Sequence, residues 1–587
     1  MNKKLLSVLI YLFLLFPAFS QKSFASQEIN LEDKLPDSVA VLGGTVLCQP
    51  VKTSYGYVAV GESRQIYAFT PHGKLLWQRR FHSNMKPFVS VAAEDMLYIV
   101  SKDSKISMMN SSGCVLWTSK AGFNVVEAPL PGLDGRVYVR GSKNIACFGL
   151  NGVCRWKVST ELQNEKIKLQ TLNDGSVLFF LGTSRKGKSV ARRIDPFGNL
   201  SEEIVFAGNV LFAESCKDGV VLSFSDGAVG LCAANRNGAY SKWVISSSEN
   251  ALCAPVKILT DSPDSKIALI YGSPAKVVYI NSFNGKETKR FDTEISKIEL
   301  ITNYCHTSQG LFLSDGKHSW CYRQSGDIAW KCRFDPKKNW YFNYATDAGF
   351  MCFCLGNWSF EVYQMRLNIG STESSYKEKT VKMYDFYSTE DVPQSTEFYG
   401  RAITQDLADK MRKAFKAGNF GQNEAEWTSL LIAEFDRMYF ELTASQNNSH
   451  EEHSFFRKNA EYIEDILTLS SETGIYFKTR QIANLIRKTD DPTILLTLVK
   501  CAGKIGYDPE GSMISSLEYL IQQKGKKDGT LLKAIADSTF EICRFMGRPL
   551  FIEKGKGIIS YMLYPQFDKK TKDYARVILE KIIKTDF

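Results

Sequence analysis

Short apolar runs alternate with polar turns along the first two thirds of the chain. Residues 57–81, YVAVGESRQIYAFTPHGKLLWQRRF, read as strand, turn, strand, glycine turn and a strand that carries a tryptophan. The same order returns downstream. Gly73 with Trp77 is followed by Gly113 with Trp117 and Gly152 with Trp156, each pair spaced alike. Gly326 with Trp330 repeats that spacing, and Gly238 with Trp243 does so with one residue inserted. Gly198 and Gly285 fit the ladder without a tryptophan. β-Branched and aromatic runs cut by Gly, Asn, Asp and Ser indicate strands and hairpins. A repeat of roughly 40 residues made of four such strands indicates a β-propeller.

Aligned repeats start near Gln49, Lys86, Glu127, Glu165, Gly208, Ala251, Ile295 and Asn339. The pattern therefore predicts eight blades over residues 38–369, with seven as the alternative, because the last segment lacks the Gly–Trp ending. Ring closure is expected from an N-terminal strand near residues 39–47 pairing with the last blade, which removes free edges between the termini. Dipeptides such as Asn151-Gly152 suit tight turns. The recurring tryptophans are expected to be structural, filling the wedge between splayed sheets, since a binding site would need only one or two of them.

The period changes near residue 400. Residues 370–400 are polar and transitional, and from Ile403 on the apolar positions recur at helical spacing. Leu407, Met411, Ala414 and Phe415 share one face, and Trp427, Leu430, Leu431, Phe435 and Met438 share another. Helices are then expected over 455–470, 479–488, 492–505, 512–523, 529–546, 552–563 and 570–584. Asp491-Pro492 and Asp508-Pro509 suit helix starts with proline in the first turn. Paired helices with short polar turns over 401–587 predict an α-helical, solenoid-like domain of the HEAT or armadillo kind. The fold class is thus multidomain, all-β followed by all-α.

Composition refines the picture in three places. Acidic and basic residues are interspersed and the net charge of +10 is modest for 587 residues, so no nucleic-acid partner is indicated. Lys3 and Lys4 precede an apolar run over 5–19 that is short for a bilayer span, which reads as a signal peptide over 1–20, with a second cleavage choice after residue 25. No later stretch is long and apolar enough to span a membrane, so no integral segment is expected once the signal is removed. The fourteen cysteines of an exported chain invite disulfides. Yet Cys147, Cys232 and Cys321 occupy matching strand positions in separate repeats, where face-packed sheets about 10 Å apart hold them too far apart to bond. They are expected as small buried apolar residues, as are Cys501 and Cys543 in helices. Cys352 and Cys354, two apart on one strand, are the pair that could bond.

Candidate chemistry is sparse. Of the six histidines, only His450 and His453 cluster, in His450-Glu451-Glu452-His453, without the spacing that sets two ligands one turn apart on a helix. That stretch reads as a solvated linker or helix start. Residues 182–187, GTSRKG, lack the ending of a phosphate loop and read as a hairpin tip. The basic runs at 524–527 and 569–572 read as solvated turns, with contact to anionic lipid or glycan as the functional alternative.

Residues 66–77 (IYAFTPHGKLLW) and 137–156 (VYVRGSKNIACFGLNGVCRW) resemble the pyrroloquinoline-quinone-type propeller repeat, over about 40–370. The resemblance implies the fold. Its family holds quinoprotein dehydrogenases and non-enzymatic scaffolds, notably the propeller lipoprotein of the outer-membrane barrel-assembly machine. The dehydrogenases bind their quinone beside a disulfide of adjacent cysteines with calcium nearby. This chain has no Cys-Cys dipeptide and no calcium loop of the D-x-[DN]-x-[DN]-G type. No catalytic residue, cofactor or metal is therefore assigned. The expected function is an exported, non-enzymatic scaffold of the cell envelope that binds other proteins. The periplasm is the expected compartment, with the cell surface or secretion as alternatives. The alternative functions are a quinoprotein-like oxidoreductase or a surface module that binds glycan or a host protein.

Overall fold

The structure is a computed structural model. It describes residues 28–365 and 402–585, apart from 43, 63, 183–186, 236–237, 247–251, 262–265, 308, 336–339, 346–349, 356–358, 418–422, 445–448, 474–477 and 524–527. Backbone alone is described at 340–345, 350–355, 415–416, 424–425, 444 and 449–458. The expected signal peptide, the linker over 370–400, most of the GTSRKG tip, the basic run at 524–527 and the side chains of Cys352, Cys354, His450 and His453 lie outside the described residues.

Seven blades are each built from four consecutive strands joined antiparallel. They span residues 51–80, 85–120, 130–159, 170–205, 210–245, 257–292 and 303–333, here blades 1 to 7. First strands of successive blades touch one another, as Val51–Thr53 does Met85–Val91 and Val210–Cys216 does Lys257–Leu259, which sets them around the centre. The stretch from Asn339 on behaves differently. It supplies only three strands, Trp340–Ala345, Phe350–Leu355 and Ser359–Gln364, and the sheet is completed by Ser38–Val41 from the N-terminal side. Val39 pairs with Glu361 and Ala40 with Phe360 in antiparallel register. The expectation of eight blades is corrected to the seven-bladed alternative. The four-strand blade pattern holds for seven, and a composite sheet closes the ring.

One further strand has no counterpart in the sequence reading. Glu28–Asn30, ahead of the propeller expected from residue 38, adds in parallel to the outer strand Ile328–Arg333 of blade 7. Three residues of mixed polarity give no periodic signal, and parallel pairing is decided by the neighbouring edge alone.

The helical region contains nine α-helices among the described residues: α1 (Gln405–Ala417), α2 (Glu424–Ala444), α3 (Ser449–Thr473), α4 (Thr479–Lys488), α5 (Pro492–Ile505), α6 (Ser512–Gln523), α7 (Gly529–Met546), α8 (Pro549–Tyr561) and α9 (Lys569–Lys584). They stack in two layers. Helices α3, α5, α7 and α9 pack in succession in one layer, and α2, α4, α6 and α8 in the other. Local chemistry sets the ends. Asp491 accepts hydrogen bonds from the N–H groups of Thr493 and Ile494, and Pro492 takes the first helical position of α5, where its missing N–H costs nothing. Asp528 caps α7 and Asp568 caps α9 in the same way. The reading of Pro509 is corrected: it lies before α6, not in its first turn, and the buried Asp508 reaches forward to the N–H of Ile514 at 2.9 Å. The His450–His453 stretch falls in the first turns of α3.

Candidate functional site

The Gly–Trp pairs prove to be parts of the junctions between blades rather than units within one blade. Trp77 donates its indole N–H to Ser111 O in blade 2 at 3.1 Å, Trp117 to Leu150 O in blade 3 at 2.8 Å, and Trp156 to Pro196 O in blade 4 at 2.9 Å. Trp243 bonds Ser282 O in blade 6 at 3.0 Å. Each ring lies under the turn glycine of the next blade. A Cβ on Gly152 would stand 2.5 Å from the Trp117 ring, and the turn there holds Gly152 at φ +78°. Gly113, Gly198 and Gly285 meet Trp77, Trp156 and Trp243 likewise. Glycine is needed at such a turn both for its φ and for the close approach of the ring.

Three of the repeat positions differ. Gly73 meets Val362 of the closing sheet, and Gly326 meets Phe291, which fills the place of a tryptophan in blade 6. Gly238 has nothing within 4 Å, because blade 4 carries no tryptophan to meet it and the hairpin there is long. Trp330 is buried and packs on Phe312 with ring centroids 6.0 Å apart. The described cysteines are free thiols, and Cys147, Cys232, Cys321, Cys501 and Cys543 are buried. Burial pushes the Cys232 thiol up to about 11 and the Cys501 and Cys543 thiols to about 12, which keeps them protonated and apolar.

Near the inner strands, residues far apart in sequence form a polar cluster that the sequence reading missed. His306 Nδ1 stands 2.7 Å from Asp261 Oδ1, and its Nε2 stands 3.1 Å from the hydroxyl of buried Tyr279. With Nδ1–H donating to Asp261, Nε2 accepts from Tyr279, which fixes the ring. Glu214 is exposed on the inner strand of blade 5, and crowding by the neighbouring inner strands, which displaces water from its carboxyl, raises it to about 7 despite Lys168. No signal marks this cluster in the sequence, since a lone histidine has no spacing to read.

The most extensive feature is the seam between propeller and helices. The β-turns at 110–113 and 149–152, tips of blades 2 and 3, meet the C-terminal ends of α7 and α3. Asn110 Nδ2 donates to Arg544 O at 2.7 Å, and Asn151 Nδ2 to Glu472 O at 2.7 Å. Ser111 Oγ donates to Met546 O at 3.4 Å, and Ser112 Oγ to Gly547 O. The last carbonyls of a helix lack internal partners and carry the negative end of its dipole, so side-chain N–H and O–H donors are matched to them. Gly547, at φ +63°, ends α7, and a Cβ there would stand 2.5 Å from Asn110 Nδ2. Arg548 forms an ion pair with Glu94, whose side chain is buried at φ +60° in the short turn Ala93–Asp95. Beneath these contacts one apolar cluster runs from Met108, Leu150 and Phe148 in the blades into the helix cores around Phe435, Ile466 and Leu498. Turn chemistry at Asn151-Gly152 is legible in the sequence, but the second duty of Asn151 as a seam donor is not.

Residues 62–196 match the family model described as outer membrane protein assembly factor BamB. The match covers the first blades, including both seam turns, and agrees with the propeller found here. Similar solved structures include BamB from Moraxella catarrhalis (TM-score 0.39, 13% identity, 56% of this chain and 99% of that chain). Another is Sqt1 from Saccharomyces cerevisiae (TM-score 0.40, 10% identity, 56% of this chain and 99% of that one). A third is the WD40 domain of Pan2 from Neurospora crassa (TM-score 0.32, 10% identity, 47% and 87%). No curated protein matches the sequence. No helix among the described residues is long and apolar enough to cross a membrane.

Proposed function

We propose that this chain is an exported, non-enzymatic scaffold of the cell envelope that binds other proteins through the joined surfaces of its propeller and helical array. The carrying observation is the seam. Two architectures that present surfaces are held together by side-chain bonds to helix ends and by a shared apolar cluster, so a partner meets one body with fixed spacing between its two faces. The match of residues 62–196 to an outer membrane protein assembly factor and the signal-like N-terminal sequence support export and an envelope role. The His306–Asp261–Tyr279 cluster is read as structural, because Tyr279 is buried and offers no substrate a path to its hydroxyl.

The test uses the full chain, because removing the helices would strip the apolar cover from blades 2 and 3. A photo-crosslinking residue is placed at exposed Val205 on the propeller and at exposed Tyr519 on α6 in separate variants. Recovery of the same envelope protein from both sites supports the scaffold. Absence of any specific adduct from either site, in cells that hold the chain in the envelope, sinks it.

A further inference from the structure

A groove of about 850 Å³ runs along α7, away from the α6 and α8 layer. Its floor is the stripe Thr530, Lys533, Ala534, Asp537, Ser538 and Glu541, spaced at three and four residues on one helix face. Lys500, Gly503 and Lys504 of α5 form one wall, and Lys570 with Thr571 at the start of α9 forms the other. The stripe spans about 16 Å at 1.5 Å per residue, the length of about five residues of extended chain. The two helices approach closely at the wall, where a Cβ on Gly503 would stand 2.5 Å from Ser538 Oγ.

Both charges line the groove, but they are not equally free. Asp537 accepts the Tyr574 hydroxyl at 2.6 Å, and Glu541 accepts Arg544 Nε at 2.8 Å. Asp568 caps α9, accepting from Thr571 N at 2.7 Å. The lysines are less committed. Lys504 pairs with Glu472, but Lys500, Lys533 and Lys570 are exposed and make no ion pair among the described residues. Lys533 Nζ lies 5.5 Å from the Tyr574 ring centroid, a contact that leaves its charge unneutralised. With Lys504 and Glu541 each paired, Lys500, Lys533 and Lys570 outnumber the carboxylates of Asp537 and Asp568, whose hydrogen-bond donors are neutral, so the groove keeps a cationic excess. Arg544 and Glu472, the partners of the lining residues Glu541 and Lys504, are also the residues whose carbonyls take Asn110 and Asn151.

We propose that this groove docks a short, extended acidic segment of a partner protein, its carboxylates meeting Lys500, Lys533 and Lys570. The inference rests on the scaffold reading and names the partner chemistry of one of its surfaces. A concave groove with a wall on each side favours a chain over a membrane, because a flat anionic bilayer would touch only the rims.

The test measures fluorescence anisotropy of dye-labelled hexaglutamate and hexaglutamine with the purified full chain. Saturable binding of hexaglutamate is expected, weaker by about tenfold when salt is raised from about 50 to about 300 mM, with no binding of hexaglutamine. The triple variant Lys500→Glu, Lys533→Glu, Lys570→Glu should bind about tenfold or more weakly, while Lys410→Glu on α1 stays within about twofold of the parent. Thermal melts monitor folding, and the milder Lys533→Gln alone should weaken binding about threefold. Equal binding of both peptides, undiminished binding by the triple variant, or binding of anionic vesicles or polyphosphate without hexaglutamate overturns the proposal. Crosslinked partners retained in full by the triple variant would overturn the groove and leave the scaffold standing. Loss of every crosslinked partner from the parent chain sinks the scaffold and is read apart from the peptide result.

Discussion

Propeller and helices store their apolar cores in different ways. In the propeller the core comes in packets, each shared by two neighbouring sheets. Val58 and Leu97 mark the packet of blades 1 and 2, Phe179 and Trp156 that of blades 3 and 4, and Leu231 and Leu269 that of blades 5 and 6. The helices instead share one continuous core, and among the described residues only the packet between blades 2 and 3 opens into it. Twisted sheets arranged radially touch only their neighbours, whereas two-layered helices touch partners in both layers. Damage to the propeller should therefore stay at its junction, while damage at the seam should spread into the helices.

The largest expected effect is at the junction of blades 3 and 4, whose apolar packet is separate from the cluster under the seam. Trp156→Ala removes a buried ring and a hydrogen bond between blades 3 and 4, at a cost of about 3–5 kcal/mol. Urea unfolding should report that loss, and hydrogen exchange should rise in blades 3 and 4 with the helices little changed. A rise across α5 to α9 would break the comparison. Gly547→Ala comes next. It forces a side chain into a left-handed backbone at the end of α7 and against Asn110, with an expected cost of about 2–3 kcal/mol. Exchange should rise both in the α7 end and in the blade 2 turn.

The double variant Asn110→Ala, Asn151→Ala sharpens the same point. Each change leaves a helix-end carbonyl without its donor, at about 1 kcal/mol apiece, and the two should add because they serve different helices. The paired glycine test is smaller. Gly238→Ala meets open space and should cost about 1 kcal/mol through its backbone alone, clearly less than Gly152→Ala, which drives a Cβ into Trp117. Equal melting temperatures for the two would refute the junction account.

The smallest effect is a pH dependence. Glu214 has its folded value raised from 4.5 to about 7, so the native state holds this proton more tightly than the unfolded chain. Its contribution to stability is present below the unfolded value and falls as pH rises from about 4.5 to about 7. Its exposure to solvent keeps the effect small. Melts of the parent and Glu214→Gln between those limits should converge at the acid end and part toward neutrality. A parent that gains stability relative to Glu214→Gln over that range would reverse the assignment.

Much of the framework is legible in the sequence because it is local. Strands such as Lys266–Tyr271 and Gly310–Ser314 and helices such as Thr479–Lys488 and Pro492–Ile505 follow from runs, turns and caps that act over a few residues. Where a reading depended on distant partners it was incomplete. The Gly–Trp pairs are visible as a spacing, yet Trp117 packs under Gly152, not under the Gly113 of its own pair.

The sequence by itself determined the propeller repeat, the change to helical period near residue 400 and most helix ends, since hydrophobic periodicity and turn residues express short-range sterics and hydrogen bonding. It also marked the N-terminal strand as the closing partner, because an unpaired edge in a ring demands one. Only the tertiary structure decided that the last segment supplies three strands, that Glu28–Asn30 pairs in parallel, that Asn110 and Asn151 hold helix ends, and that three lysines from three helices open onto one groove. Those outcomes join residues tens to hundreds of positions apart, and such contacts follow from how surfaces fit once the elements exist.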